Sequence, residues 1–264
     1  MSLIAGALLV QTRVPCWHVA DLAQRLKKGV PLPDGSTLRP FTAMGEAGCP
    51  VTVQTGWCSA GLGLVVEVTA KAKATEGDAS RPHLADGVSL WINTRGGLSG
   101  KRATAYCHLL HLLPVGGGAD RTEPVLCQGK IPRALEEAPP IPTSKIFFRS
   151  RIERGGYTLS ALIPQDALHG FDIEQNRTLA FQIKVQDAER GAMVTCADLE
   201  VNFEEDPSWW DQLILRDEPP PGEPGSITDP ATQAKKAKSQ ADSFDDEPPA
   251  KPVRKGRRKA GENG

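Results

Sequence analysis

Trp91, Asn93 and Arg95 alternate along the segment 86–95, DGVSLWINTR. In an extended strand they project to one side with Ser89, while Val88, Leu90 and Ile92 project to the other. An indole face can stack on the apolar side of a sugar ring, and a carboxamide and a guanidinium can hydrogen-bond its hydroxyls. These three residues are therefore the first candidate ligand-binding set. Trp91 is the one tryptophan that this reading of strand alternation puts on a polar face. Trp57, beside another strand-like run, is a candidate second stacking wall.

Other chemistry is thinly represented. His108 and His111 are three apart, but AYCHLLHLLPV reads as a strand, which sends them to opposite faces and away from a shared metal. Gly116-Gly117-Gly118 lacks the Lys-Ser/Thr of a phosphate loop, and no G-x-S-x-G is present. Catalysis is not expected. If an enzyme activity accompanies the chain, it would be hydrolysis of O-glycosyl compounds, since a carboxylate pair for that chemistry is spatial and not visible in a sequence. The six cysteines, Cys16, Cys49, Cys58, Cys107, Cys127 and Cys196, form no C-x-x-C and read as reduced, buried thiols.

The elements that must position these residues are mostly strands. Strand-like runs occupy 3–14, 50–54, 61–70, 87–94, 105–113, 145–153, 157–163, 179–186, 199–203 and 212–215. Arg154-Gly155-Gly156 reads as a hairpin turn. One helix is predicted over 19–28, with Lys27 and Lys28 followed by the stop Gly29, and 164–168 suits a single turn. Two long stretches, 71–85 and 114–143, read as irregular. Many short strands with glycine and proline turns imply an all-β, antiparallel, jelly-roll-like sandwich with few short helices.

Composition divides the chain. Residues 1–217 read as one sandwich domain, whereas 218–264 carry proline and charge clusters with Phe244 as their one aromatic, and read as a disordered tail. The basic end of that tail, from Lys251 to Lys259, is a candidate contact for protein or nucleic acid. Overall charge is nearly balanced, 31 basic against 32 acidic residues, so no global field argues for a nucleic-acid or membrane partner. The opening residues lack a basic n-region, and no apolar run reaches membrane-spanning length. A cytoplasmic protein is the expectation.

Four segments taken together resemble the family 9 carbohydrate-binding module and its wider superfamily, which includes DOMON-type haem- and sugar-binding domains. They are Gly61–Val68 (GLGLVVEV) following Gly56-Trp57, the segment 86–95, the segment 156–164 (GYTLSALIP) with Asp166-Ala167-Leu168, and the segment 179–187 (LAFQIKVQD). The resemblance spans roughly residues 50–217. It implies a non-catalytic carbohydrate-binding module acting in carbohydrate catabolism, with a sugar stacked on exposed Trp91. It also implies calcium as a candidate ion, with Asp86, Asp187 and Asp198 as candidate ligands. Otherwise no cofactor is expected. Departures occur at Ser160 and Gln186, where the family has Glu and Asn, and at Asn93, where an acid is common. Two further readings go with the resemblance. One is an interaction scaffold that keeps the sandwich without sugar binding. The other is a haem-binding domain, for which Met44, Met193 and the five histidines offer no clear axial pair.

Overall fold

The computed structural model describes residues 12–38, 50–97, 100–194 and 201–223. Eleven strands follow one another along them: β1 (Arg13–His18), β2 (Val51–Cys58), β3 (Gly61–Val68), β4 (Gly87–Asn93), β5 (Cys107–Gly117), β6 (Glu123–Gly129), β7 (Phe147–Glu153), β8 (Gly156–Ile163), β9 (Thr178–Asp187), β10 (Gly191–Val194) and β11 (Asp211–Arg216). They hydrogen-bond in the order β6-β5-β4-β9-β11-β1-β2-β3-β8-β7, with β10 also on β9. This path folds over itself, so that β5 and β6 approach β7 and β5 approaches β8. The result is a two-layered all-β sandwich. Its pairings are antiparallel except at β1, which runs parallel to both β11 and β2.

Strand alternation explains the core. Val88, Leu90 and Ile92 of β4 and Phe181, Ile183 and Val185 of β9 meet Leu64 and Val66 of β3 and Leu159 and Ala161 of β8 in one buried cluster. The apolar face of 86–95 is thus the inward face, as the sequence implies. The hairpin turn falls as expected: Glu153 and Gly156 are partners across Arg154 and Gly155, and Gly155 has φ 83°, a left-handed conformation that glycine adopts without steric cost.

The helix α1 (Leu22–Lys28) is shorter than predicted. It ends on left-handed Gly29, with Arg25, Lys27 and Lys28 in its last turn complementing the carbonyl end. Leu22 and Leu26 are fully buried and pack it on β2, β3 and β8. The turn at 164–168 is a 3-10 turn over Gln165–Ala167.

Several expectations are corrected. The first strand was predicted over 3–14, yet it continues to His18; residues 3–11 lie outside the described residues. The stretch 114–143 is not wholly irregular. The strand β5 passes through Pro114 to Gly117, and β6 follows it. Pro114 is tolerated because the pairing of β5 with β4 stops at Leu112 and its pairing with β6 shifts register after Leu113. The strand β10 was also missed. At 199–203, the described residues 201–203 form a bend and a turn, not a strand. Cys49, Cys196 and the tail beyond residue 223 lie outside the described residues; Cys16, Cys58, Cys107 and Cys127 are free thiols.

Candidate functional site

Trp91 does sit on the outer face of β4, opposite Leu90, but that face is not open. Its side chain is 2% exposed. Phe203 meets it edge-on at 5.4 Å between ring centroids, and Trp210 and Ile131 complete the cover. Trp210 is anchored by its own Nε1–H donating to Phe203 O at 2.7 Å. The expected exposed stacking platform is therefore corrected: Trp91 is packed, because the segment 201–210 lies over β4 and β9. Trp210 belongs to the same buried cluster as Trp91, and Trp209 packs partly buried against it.

The other members of the expected set are engaged elsewhere. Asn93 donates from Nδ2 to Gly97 O at 2.9 Å and accepts Arg95 N–H at Oδ1, so its amide holds the turn after β4. Arg95 is exposed, with its guanidinium over the ring of Tyr106 at 4.8 Å. Tyr106 in turn stacks on His169 at 5.0 Å with an interplanar angle of 13°. Trp57 is no open wall either. Its Nε1–H donates to Arg216 O at 2.7 Å, His18 packs against it edge-on, and the Arg177 guanidinium covers its ring at 4.6 Å.

Asp86 and Asp187 do converge, as the calcium reading requires, but on an ammonium. Lys71 Nζ lies 3.0 Å from Asp86 Oδ1 and 3.1 Å from Asp187 Oδ1, and all three side chains are buried. Backbone N–H groups of Glu76 and Ala188 donate to Asp86, those of Glu189 and Arg190 donate to Asp187, and the Arg190 guanidinium reaches Asp187 Oδ2. Burial works against the Lys71 ammonium, yet its hydrogen bonds and charge attraction to the two carboxylates outweigh that and raise its pKa. Burial likewise opposes the Asp187 carboxylate, but the Glu189 N–H and Lys71 hold its pKa below the usual value. Asp198 lies outside the described residues. Among the described residues no three His, Cys, Asp or Glu side chains are grouped so as to hold a metal ion.

His108 and His111 point to opposite faces, as expected. His111 Nδ1 lies 2.9 Å from Ser89 Oγ on the outer face, and burial, helped by His83 and Lys184, brings its pKa down to about 4. Of the haem candidates, Met44 lies outside the described residues and Met193 is sealed in the core at 1% exposure.

The predicted first strand ends at Val14, before the residues that show the outer face of β1 (Arg13–His18). Arg13, Pro15 and Trp17 alternate there, with Cys16 turned into the core, where burial pushes its thiol up to about 12. The parallel register sets Arg13 beside Gln212, Pro15 beside Ile214 and Trp17 beside Arg216, and Thr178 of β9 continues the Ile214 row. Pro15 has no N–H to donate, and β1 meets β2 only at Trp17 and His18, so the proline interrupts no ladder there. These residues and Glu218 line an open groove of about 620 Å³, a size usual for ligand sites. Trp17 is half-buried, as a platform supported from behind and open in front would be. Arg13 is oriented by its Nε–H donating to Gln212 Oε1 at 3.0 Å. A second hollow, about 150 Å³ between α1 and the outer face of β2, β3, β8 and β7, has Gln54, Glu67, Ser160 and Arg149 in its lining but no aromatic ring. The sequence signal for Trp17 was the alternation in RVPCWH. It is legible once the strand is carried past Val14.

No family model matches the chain, and no curated protein matches it. Solved structures do. A family 9 carbohydrate-binding module from Caldicellulosiruptor kristjanssonii, in complex with cellotriose, superposes with a TM-score of 0.52 at 13% identity, covering 78% of this chain and 95% of that one. A family 9 module from the same organism in complex with glucose gives 0.53 at 14% identity, covering 78% and 97%. The fold is thus that of the family 9 carbohydrate-binding module. No helix among the described residues is long and apolar enough to cross a membrane.

Proposed function

We propose that this chain is a non-catalytic carbohydrate-binding module whose sugar stacks on Trp17. The observation that carries the reading is the groove at the β1–β11 seam. There a half-exposed indole is flanked by apolar Pro15 and Ile214 and by the hydrogen-bonding groups of Arg13, Arg216, Thr178 and Glu218. A pyranose ring has an apolar face and a rim of hydroxyls, and an aromatic platform edged with donors and acceptors complements both. The likeness of the fold to modules crystallised with glucose and cellotriose supports the same class of ligand. Trp91, Asn93 and Arg95 do not form this site, since Trp91 is covered and Asn93 is spent on its own turn. The test is a glycan array probed with the full chain and with Trp17→Ala and Arg95→Gln. Glycan signals that vanish in Trp17→Ala and persist in Arg95→Gln support the reading, while an array blank for the unaltered chain rejects it.

A further inference from the structure

We infer that the Trp17 groove selects an acidic oligosaccharide, one bearing carboxylate or sulfate groups; this rests on the sugar-binding reading above. Two cations stand along one stripe of the groove. Arg216 is the direct strand partner of Trp17, and Arg13 lies on the same face of β1 four residues earlier, roughly 13 Å away along the strand. Both are exposed. Among the described residues neither is in an ion pair, whereas Arg25, Arg151, Arg177 and Arg190 each have a carboxylate partner. Gln212 takes only the Nε–H of Arg13, and Arg13 is part of the groove lining.

A planar guanidinium with two parallel N–H groups matches a carboxylate or sulfate in a way that a sugar hydroxyl does not. Glu218 is the one acid in the lining, so the groove keeps a positive balance and one acceptor for a hydroxyl. The spacing of the arginines suits a ligand longer than one ring, with an acidic group beside the stacked residue and another farther along. A single-stranded nucleic acid is a poorer match. It needs successive stacking platforms, and this stripe has one.

The test is calorimetric titration of the full chain with three probes of equal length: an oligogalacturonate, a sulfated neutral oligosaccharide, and cellotriose. A single-stranded oligonucleotide serves as a fourth. One or both acidic probes should bind at least tenfold more tightly than cellotriose at low salt, with the advantage shrinking as salt rises. Which acidic probe leads distinguishes carboxylate from sulfate. Arg216→Gln should weaken the acidic probes at least tenfold more than it weakens cellotriose and so abolish the advantage, its fold checked by an unchanged thermal midpoint; if that variant is unstable, Arg13→Gln should reduce the advantage in the same direction. Equal or tighter binding of cellotriose overturns the inference and leaves the sugar-binding reading standing. Failure of every saccharide to bind, or preference for the oligonucleotide, overturns both.

Discussion

Trp91 and Phe203 meet edge to face, their ring centroids 5.4 Å apart and their planes at 85°. This contact closes the outer face of β4 and turns a tryptophan that looks like a binding platform into a second small core. Replacing a fully buried tryptophan by alanine removes packing and leaves a cavity, at a cost of about 3 kcal/mol or more. Trp91→Ala should therefore lower the unfolding free energy by that amount, read as a lower urea midpoint with little change in slope. A stability within about 0.5 kcal/mol of the unaltered protein would mean that the ring is not packed.

Lys71 supplies the cation between two carboxylates that are wholly buried. Removing one partner of a buried ion pair leaves a stranded charge and costs about 3 kcal/mol. Lys71→Met should be destabilised to that extent near neutral pH. The raised Lys71 pKa makes its contribution complete below the unfolded lysine value of about 10.4 and lost as pH climbs through the folded one. The lowered Asp187 pKa makes its contribution present above about 3.9 and lost as pH falls through the folded value. The gap between Lys71→Met and the unaltered chain should be widest between these limits and narrow outside them. Denaturation curves across pH check this, and a gap independent of pH would contradict it.

His111 gives a dependence of opposite use. Its folded pKa is about 4, while an unfolded histidine titrates near 6.5. Between these values the unfolded chain binds the extra proton, so stability must fall as pH drops from about 6.5 to 4, by about 2 kcal/mol from this group. In His111→Gln, which can still hydrogen-bond Ser89, that part of the acid slope should disappear. Identical slopes in the two proteins would show that His111 is not the group responsible.

The fold was largely legible because the inner faces of β3, β4, β8 and β9 are clean runs of alternating apolar residues, and because Gly29 and Gly155 mark chain reversals. The site was not. Alternation tells which side of a strand a residue occupies, but not whether another segment covers that side. Trp91 and Trp17 both lie on outer faces; Phe203 and Trp210, more than a hundred residues downstream, cover the former. Ser89 shows the same effect. Its position implies a tolerant surface site, yet it is 4% exposed and paired with His111, so Ser89→Asp is no mild substitution. The convergence of Asp86 and Asp187 was legible as acids in the right places. The lysine between them was not, because Lys71 stands at the start of a stretch without periodicity.

The most direct test of sugar binding at Trp17 is an NMR titration that follows the indole N–H signals of the five tryptophans, with Trp17 assigned through Trp17→Phe. On addition of a saccharide that the full chain binds, the Trp17 signal should shift in a saturable way while those of buried Trp57, Trp91 and Trp210 stay near their free positions. The companion Trp17→Ala protein should lose about thirtyfold in affinity, the usual effect of deleting an aromatic anchor worth about 2 kcal/mol, and should keep its thermal midpoint. Saturable shifts at another tryptophan with Trp17 unmoved, or full affinity in Trp17→Ala, would contradict the account.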